Sequence, residues 1–301
     1  MRDSGNGRAF ARVALAGNPS DGYGGRTLAV VVRDFAATAR AIRAQAGDRL
    51  SPPGPGGEAL MHAALERFRS RIGAGDPVEL RCETNVPREV GLAGSSAIVI
   101  ACARALCDLH GAALERDELA RLALAVEAED LGIAAGLQDR IVQARETLVA
   151  MEFGGEPSYE ELDPRLLPPL YVAWHPDAAA PSGIAHARLR ERHAAGEPEV
   201  VAALSRLAGL AGTAREALAA DDHAAFARCI DASFDERLAV MPVDPLTAKM
   251  VEGARSAGAC ANSAGSGGAI VGALTDAGEW PALREALERI GARTIRPQVC
   301  P

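Results

Sequence analysis

Lysine is nearly absent from this 301-residue chain: Lys249 is the only one, so 31 of the 32 basic residues are arginines. No Gly-Lys-Ser/Thr triplet exists, which excludes a Walker A loop, whose lysine must reach the nucleotide phosphates. A protein-kinase β3 lysine in its usual setting is excluded with it. The six cysteines (Cys82, Cys102, Cys107, Cys229, Cys260, Cys300) form no C-x-x-C pair and have no zinc-ligand spacing; they are expected as reduced, mostly buried thiols. No apolar run approaches the ~18 residues that a bilayer span requires. The best, Ala97 to Ala103, is cut by Arg104. The first ten residues lack the apolar stretch of a secretory signal. Positive charge is also short, with 40 acidic against 32 basic residues and a formal net charge of −8, which argues against nucleic acid or an anionic membrane as partner. The expectation is a cytoplasmic monomer or homodimer that acts on small molecules.

What is present is an average globular composition, 48% hydrophobic and 24% charged, at a length for one large or two ordinary domains. Arg8 to Arg33 reads as strand, glycine-rich loop and strand, the loop being Gly17-Asn18-Pro19-Ser20-Asp21-Gly22-Tyr23-Gly24-Gly25. Helical periodicity follows over Ala59 to Arg71, a strand over Val78 to Thr84, and helices over Ser96 to Leu109 and Leu114 to Leu131. Composition turns proline-rich around Asp163 to Pro169, which places a domain boundary there, dividing 1–165 from 166–301. Beyond it come a strand at Leu170 to Trp174, helices over Gly183 to Ala195, Pro198 to Ala219 and Asp222 to Met241, a strand at Ala269 to Leu274, a helix at Pro281 to Ile290 and a last strand at Arg293 to Ile295. Strand and helix mix in both halves without a repeat, so the fold class is α+β.

Three stretches carry chemistry. In Pro87-Arg88-Glu89-Val90-Gly91-Leu92-Ala93-Gly94-Ser95-Ser96-Ala97, glycines and serines stand between a strand and a long apolar helix. Such a turn offers backbone N–H groups and a positive helix end to an anion; Ser95 or Ser96 capping the helix is the structural alternative. In Gly136-Leu137-Gln138-Asp139-Arg140, Asp139 follows a glycine turn and is either a helix cap or a catalyst. Glu127 precedes it by twelve positions, so the two meet only if Gly132 to Gly136 folds the chain back. Together a magnesium-binding carboxylate and one beside an acceptor hydroxyl would meet the needs of phosphoryl transfer. The third stretch, Ala261 to Ala269, is a second glycine loop before a strand.

Together these stretches resemble the GHMP kinase superfamily, whose phosphate loop has the pattern P-x-x-x-G-L-G-S-S-A. Within it, G-N-P-S-D-x-Y-G-G-R, G-L-x-G-S-S-A-I-V and G-L-Q-D-R are similar to the glucuronokinase group. The resemblance implies an N-terminal domain like ribosomal protein S5 domain 2 and a ferredoxin-like C-terminal domain, with ATP and Mg2+ as cofactors. The implied activity is transfer to the anomeric hydroxyl of D-glucuronate; another sugar (galacturonate, a hexose or a heptose) or a non-catalytic sensor are the alternatives. By the same resemblance Pro87, Gly91, Leu92, Ala93, Gly94, Ser95, Ser96 and Ala97 wrap the ATP phosphates. Ser96 and Glu127 hold the magnesium. Asp139 stands beside the acceptor hydroxyl, and Arg12 keeps that acid ionised and offsets charge in transfer. Asn18, Asp21 and Tyr23 meet the sugar, as do Ser182, Gly183, His186, Gly265, Ser266 and Gly267. Choosing a uronic acid needs a cation or N–H donors near its carboxylate, and Arg26 is the first candidate, ahead of Arg140 and His186.

Overall fold

The structure, a computed structural model, describes residues 2–178 and 183–301, with the backbone alone at 183–186. Contacts divide the chain into two compact units that interleave in sequence. The first takes the chain up to Ala11, Arg33–Val86 and Ala93–Glu146; the second takes Arg12–Val32, Pro87–Leu92 and Thr147–Pro301. This differs from a single division at residue 165, because two segments that carry sequence motifs, 12–32 and 87–92, pack with the C-terminal half.

Strand β1 (Ser4–Ala16) and the long strand β2 (Arg26–Arg43) run through both units. In the first unit the later half of β2 pairs antiparallel with β4 (Val78–Thr84), from Ala37 opposite Thr84 to Arg43 opposite Val78. The short β3 (Arg49–Ser51) lies parallel to β4. Val78, Leu80 and Cys82 of β4 are buried and alternate with more exposed Glu79, Arg81 and Glu83, the period of a strand with one covered face. Helix α1 (Gly57–Ile72) buries Met61, Leu65 and Phe68 at helical spacing. Helix α2 (Gly94–His110) is buried on most faces, and β1 lies against its backbone. A Cβ at Gly7 would stand 2.0 Å from the Ala101 carbonyl oxygen, and one at Gly5 2.2 Å from that of Ala105. Helix α3 (Arg116–Ala125) starts at a reciprocal Glu115–Glu118 cap and passes into a π-helical turn, Val126–Asp130. The uninterrupted helix expected over 114–131 is therefore two pieces, and Glu127 sits in the π turn, a local form that concentrates at functional sites. Helix α4 (Leu137–Arg145) completes the unit.

In the second unit the first half of β2 pairs antiparallel with β5 (Leu148–Glu152), which pairs in turn with β6 (Ser158–Leu162). A four-stranded antiparallel sheet has the order β10 (Arg293–Ile295), β7 (Leu170–Trp174), β9 (Ala269–Ala273), β8 (Asn262–Ser263). Helices α5 (Gly183–Ala194), α6 (Pro198–Ala219), α7 (His223–Val240), α8 (Pro245–Ser256) and α9 (Trp280–Glu288) accompany it. Tyr171, Phe234, Met250, Leu283 and Leu287 share one core, and the Tyr171 hydroxyl, fully buried, donates to the Cys260 carbonyl at 2.8 Å. The class is α+β, as the mixed pattern required. Among the described residues no helix is long and apolar enough to cross a membrane.

Two glycines should respond in opposite directions. Gly7→Ala forces a methyl group onto a helix carbonyl and should destabilise by about 1–3 kcal/mol, the usual range for overpacking. Gly209→Ala in α6, where an added Cβ meets nothing within 4 Å, should stabilise by about 0.5–1 kcal/mol through helix propensity. Urea unfolding of both variants against the parent checks the signs.

Candidate active site

The phosphate-loop sequence spans the turn into α2. Ala93 is the residue before the helix, with φ of +59° and no side-chain cap. The expected alternative, a serine cap, is therefore not what the loop contains. The Ala93 carbonyl accepts from Gln143 Nε2 at 2.9 Å and from Ser96 Oγ at 3.3 Å. Gln143, fully buried on α4, also donates to the Phe10 carbonyl at 2.8 Å, so one amide ties the loop to β1. Gly94 opens the helix, and the amides of its first turn have no intrahelical acceptors.

The chain does fold back between Glu127 and Asp139. Arg140, 4% exposed, donates from Nε to Glu127 Oε2 at 2.9 Å and pairs with the same oxygen through Nη2. Its Nη1 reaches the Gly136 carbonyl at 2.7 Å and Asp139 Oδ2 at 3.4 Å. Asp139 is half-buried in the first turn of α4 and is not its cap. Beside it, Gln138 is buried and its Oε1 has no hydrogen-bond partner.

The serine next to Glu127 is Ser95, not Ser96. Ser95 Oγ donates to Glu127 Oε1 at 2.6 Å, whereas Ser96 turns back to the carbonyl of Ala93. Two oxygen donors thus converge at a separation close to the ~2.9 Å between adjacent ligands implied by Mg–O bonds of ~2.0–2.1 Å. Among the described residues no group of three or more His, Cys, Asp or Glu could hold a metal ion. A hydroxyl and one carboxylate suit an ion that takes its other ligands from water and phosphate, the habit of Mg2+.

In the second unit the other motif residues meet around Arg12. This buried guanidinium donates from Nη1 to the carbonyls of Gly91 and Ala264, both at 2.8 Å. Backbone bonds run beside it from Arg12 N to the Leu92 carbonyl and from Ala14 N to that of Ala264. The glycines at the junction have no room for side chains. A Cβ on Gly265 would stand 2.1 Å from the Gly91 carbonyl oxygen and 2.8 Å from Arg12 Nη1, and one on Gly91, whose φ is +80°, would stand 2.8 Å from the Gly267 carbonyl. Ser266 and Gly267 are half-buried, backing onto Gly91; Pro87 and Leu92 flank the same turn, Leu92 buried.

The loop expected at the sugar is formed by Asn18, a 3-10 turn over Ser20–Tyr23, and Arg26. Asp21 and Tyr23 are half-buried. Tyr23 packs against a cluster that includes Leu189, Leu204 and Val240, with its ring 4.6 Å from that of His193. Burial pushes its hydroxyl pKa up, Arg190 pulls it down and Asp21 raises it further. Arg26 is 53% exposed and spends its Nε on Glu152 at 3.1 Å, and Arg140 is committed to Glu127, so both are ion-pair partners here. Ser182 lies outside the described residues, and of Gly183 and His186 only a helical backbone is described.

Sequence reading gave Ser95 to the phosphates but Ser96 the place beside Glu127, and it missed Gln143 and Arg237. Arg237 of α7 is 2% exposed and donates from Nη1 to Asn18 Oδ1 at 2.9 Å and to the Gly265 carbonyl at 2.6 Å. A signal existed: Phe226, Cys229, Ile230, Ser233, Phe234, Arg237 and Val240 are the buried residues of α7, so an arginine interrupts an otherwise small or apolar stripe.

With this geometry in place, the relatives of the chain are informative. The family described as "GHMP kinases N terminal domain" matches residues 59–146. Glucuronokinase 1 of Arabidopsis thaliana is 32% identical over 305 residues, covering 88% of this chain and 83% of that protein. Probable glucuronokinase 2 of the same plant is 34% identical over 303 residues, with 88% and 82% covered. Among solved structures, Lactococcus lactis galactokinase complexed with galactose superposes with a TM-score of 0.85 at 17% identity, over 99% of this chain and 94% of that one. Likeness of this extent to the two plant proteins makes the chain a member of the GHMP kinase family and a phosphotransferase.

Proposed function

We propose that this kinase transfers the γ-phosphoryl group of ATP to the anomeric hydroxyl of D-glucuronate, giving D-glucuronate 1-phosphate and ADP. What carries the reading is the identity of 32% and 34% to two glucuronokinases over 83% and 82% of their lengths. That the protein uses ATP and acts on a sugar follows from the same family; the particular sugar and position are the reading's own step. A cytoplasmic site of action goes with it.

Each residue has a role that its surroundings support. The turn from Pro87 through Ala97 receives the ATP phosphates, its amides and the start of α2 supplying fixed positive ends. Glu127 and Ser95 would hold Mg2+, which when bound neutralises charge on the phosphates. Arg140 holds the Glu127 carboxylate in place through two donors on Oε2. Asp139 accepts a hydrogen bond from the acceptor hydroxyl and directs its oxygen at phosphorus. A new O–P bond forms there as the bond from phosphorus to the β,γ-bridging oxygen breaks, and the hydroxyl proton leaves through Asp139. Arg12 supplies positive charge while the phosphoryl group moves. Asn18, Asp21 and Tyr23 contact the sugar. Phosphoryl transfer relies on positioning and charge stabilisation more than on a strong base, so one half-buried carboxylate suffices.

The decisive test is coupled ADP release from the purified protein over uronic acids, neutral hexoses, heptoses and mevalonate. Turnover of D-glucuronate above all others is expected. Preference for a neutral sugar would move the assignment to another member of the family. Asp139→Asn should lower kcat by ~10²-fold or more, since positioned acid–base groups contribute 10²–10⁴-fold, while ATP affinity measured by titration stays near the parent's. Glu127→Gln should raise the Mg2+ concentration for half-maximal activity. It should also lower unfolding stability, by up to roughly 3–5 kcal/mol, because the buried Arg140 loses the carboxylate that its Nε and Nη2 share. Leucine at 127 together with methionine at 140 should lose less stability than leucine at 127 alone, which urea unfolding decides.

A further inference from the structure

Three arginines of the chain are buried: Arg12, Arg140 and Arg237. Arg140 is neutralised by Glu127. Arg237 has no carboxylate within 4.0 Å among the described residues, and its hydrogen bonds go to an amide oxygen and a peptide carbonyl. Both leave from Nη1. Its Nε is closed off from solvent with no partner, so the Nε–Nη2 edge, the side of a guanidinium that takes two carboxylate oxygens at once, makes no hydrogen bond. Burying a cation without a counter-ion costs several kcal/mol. Here the cost is raised by a second guanidinium, Arg12, whose charge together with burial brings the Arg237 pKa down to about 10, with Asp21 offsetting only part. A group held this way answers to an anion that the folded chain itself does not supply.

The surroundings say which anion. Arg237 holds Asn18 by its Oδ1, which fixes the amide so that Nδ2, a pure donor, faces away from the guanidinium. Asn18 is half-exposed at the head of the sugar-side loop. The guanidinium therefore lies one side chain below the surface at the place assigned to the sugar. One turn further along, Val240 and Met241 belong to the cluster against which Tyr23 packs. We propose that Arg237, with the amide of Asn18 that it orients, binds the carboxylate of the acid sugar and makes this kinase specific for uronic acids over neutral hexoses. The inference rests on the sugar-kinase reading above and names the residue that reads the acid, in place of Arg26, which is occupied by Glu152. A hydroxymethyl group in the same place brings one oxygen and no charge, whereas a carboxylate brings two acceptor oxygens and the counter-charge.

The test is calorimetric titration of D-glucuronate, of D-glucuronamide (the same ring with an uncharged amide) and of ATP into the parent protein and three variants, Arg237→Met, Arg237→Lys and Asn18→Asp. The parent should bind glucuronate about 10- to 150-fold more tightly than glucuronamide, the range of a charge-assisted bond. Arg237→Met should lose most of that ratio and Arg237→Lys part of it, with ATP affinity within about 2-fold of the parent's. If the methionine variant fails to fold, Asn18→Asp decides: it leaves Arg237 in place and gives it an internal carboxylate, so glucuronate should bind it no better than glucuronamide. Full discrimination kept in Arg237→Met or in Asn18→Asp would overturn the assignment. A loss of ATP affinity with glucuronate affinity unchanged would overturn it too, by giving the guanidinium to a phosphate. If the parent binds a neutral hexose and no glucuronate, the glucuronate reading itself falls and this inference with it. If the parent binds glucuronate and the variants still discriminate, only this inference falls.

Discussion

The second unit is built around what one guanidinium requires. Arg12 is buried in β1, and its Nη1 is shared between the carbonyls of Gly91 and Ala264. Those two carbonyls belong to the phosphate turn and to the C-terminal glycine loop. For both to come within hydrogen-bonding distance of one nitrogen, the two loops must stack backbone on backbone. This is why Gly91 and Gly265 are glycines: a methyl group on Gly265 would lie 2.1 Å from the Gly91 carbonyl oxygen. The composition of three distant segments thus follows from a single buried donor. Lysine would not serve as well, because a point charge on a flexible stem lacks the planar fork that fixes its acceptors in one plane.

In the first unit the same residue type solves a different problem. Glu127 is fully buried in a π-helical turn, and a buried carboxylate is costly unless it is paired and hydrogen-bonded. Arg140 supplies the counter-charge from α4 and touches Asp139 with its other terminus. The arginine therefore sets the spacing between the two acids. Ser95 closes the arrangement from the start of α2. A buried pair of this kind adds little net stability; its value is that the carboxylate is held in one orientation while buried.

How much of this was legible depends on what each feature rests upon. Strands β4 and β7 and helix α6 have the limits that their apolar patterns define, since alternation and helical spacing are local properties. Helix α4 and strands β5 and β6 went unread. Leu137 to Arg145 carries Gln138, Arg140 and Gln143 on its buried side, so polar residues mask the apolar period. Strand β6 is mostly exposed, with Glu160 and Glu161 in a five-residue span, and only its pairing with β5 defines it. Helix α8 did offer a signal, Asp244 before Pro245, and Asp244 accepts from the amides of Leu246 and Thr247. The choice between Ser95 and Ser96 was not readable at all. Neighbours on a helix point about 100° apart, and which one faces Glu127 depends on the phase at which α2 starts.

Charge imposes the last constraint. A protein of formal net charge −8 that holds a nucleoside triphosphate and, on the function proposed above, an acid sugar works against its own long-range field, which is screened only beyond roughly 10 Å at moderate ionic strength. Surface arginines cannot correct this, because many of them already pair with surface acids, as Arg26 does with Glu152 and Arg215 with Glu160. The positive ends that count are the backbone amides that open α2 and a guanidinium sunk into α7 beneath Asn18, whose charge Asp21 offsets only in part. Burial is what protects them. A cation kept from water and from its own carboxylates costs stability in the empty protein, and it returns that free energy only to a ligand bearing the complementary charge. Selectivity for an anion and the presence of an unneutralised buried arginine are then two consequences of the same placement.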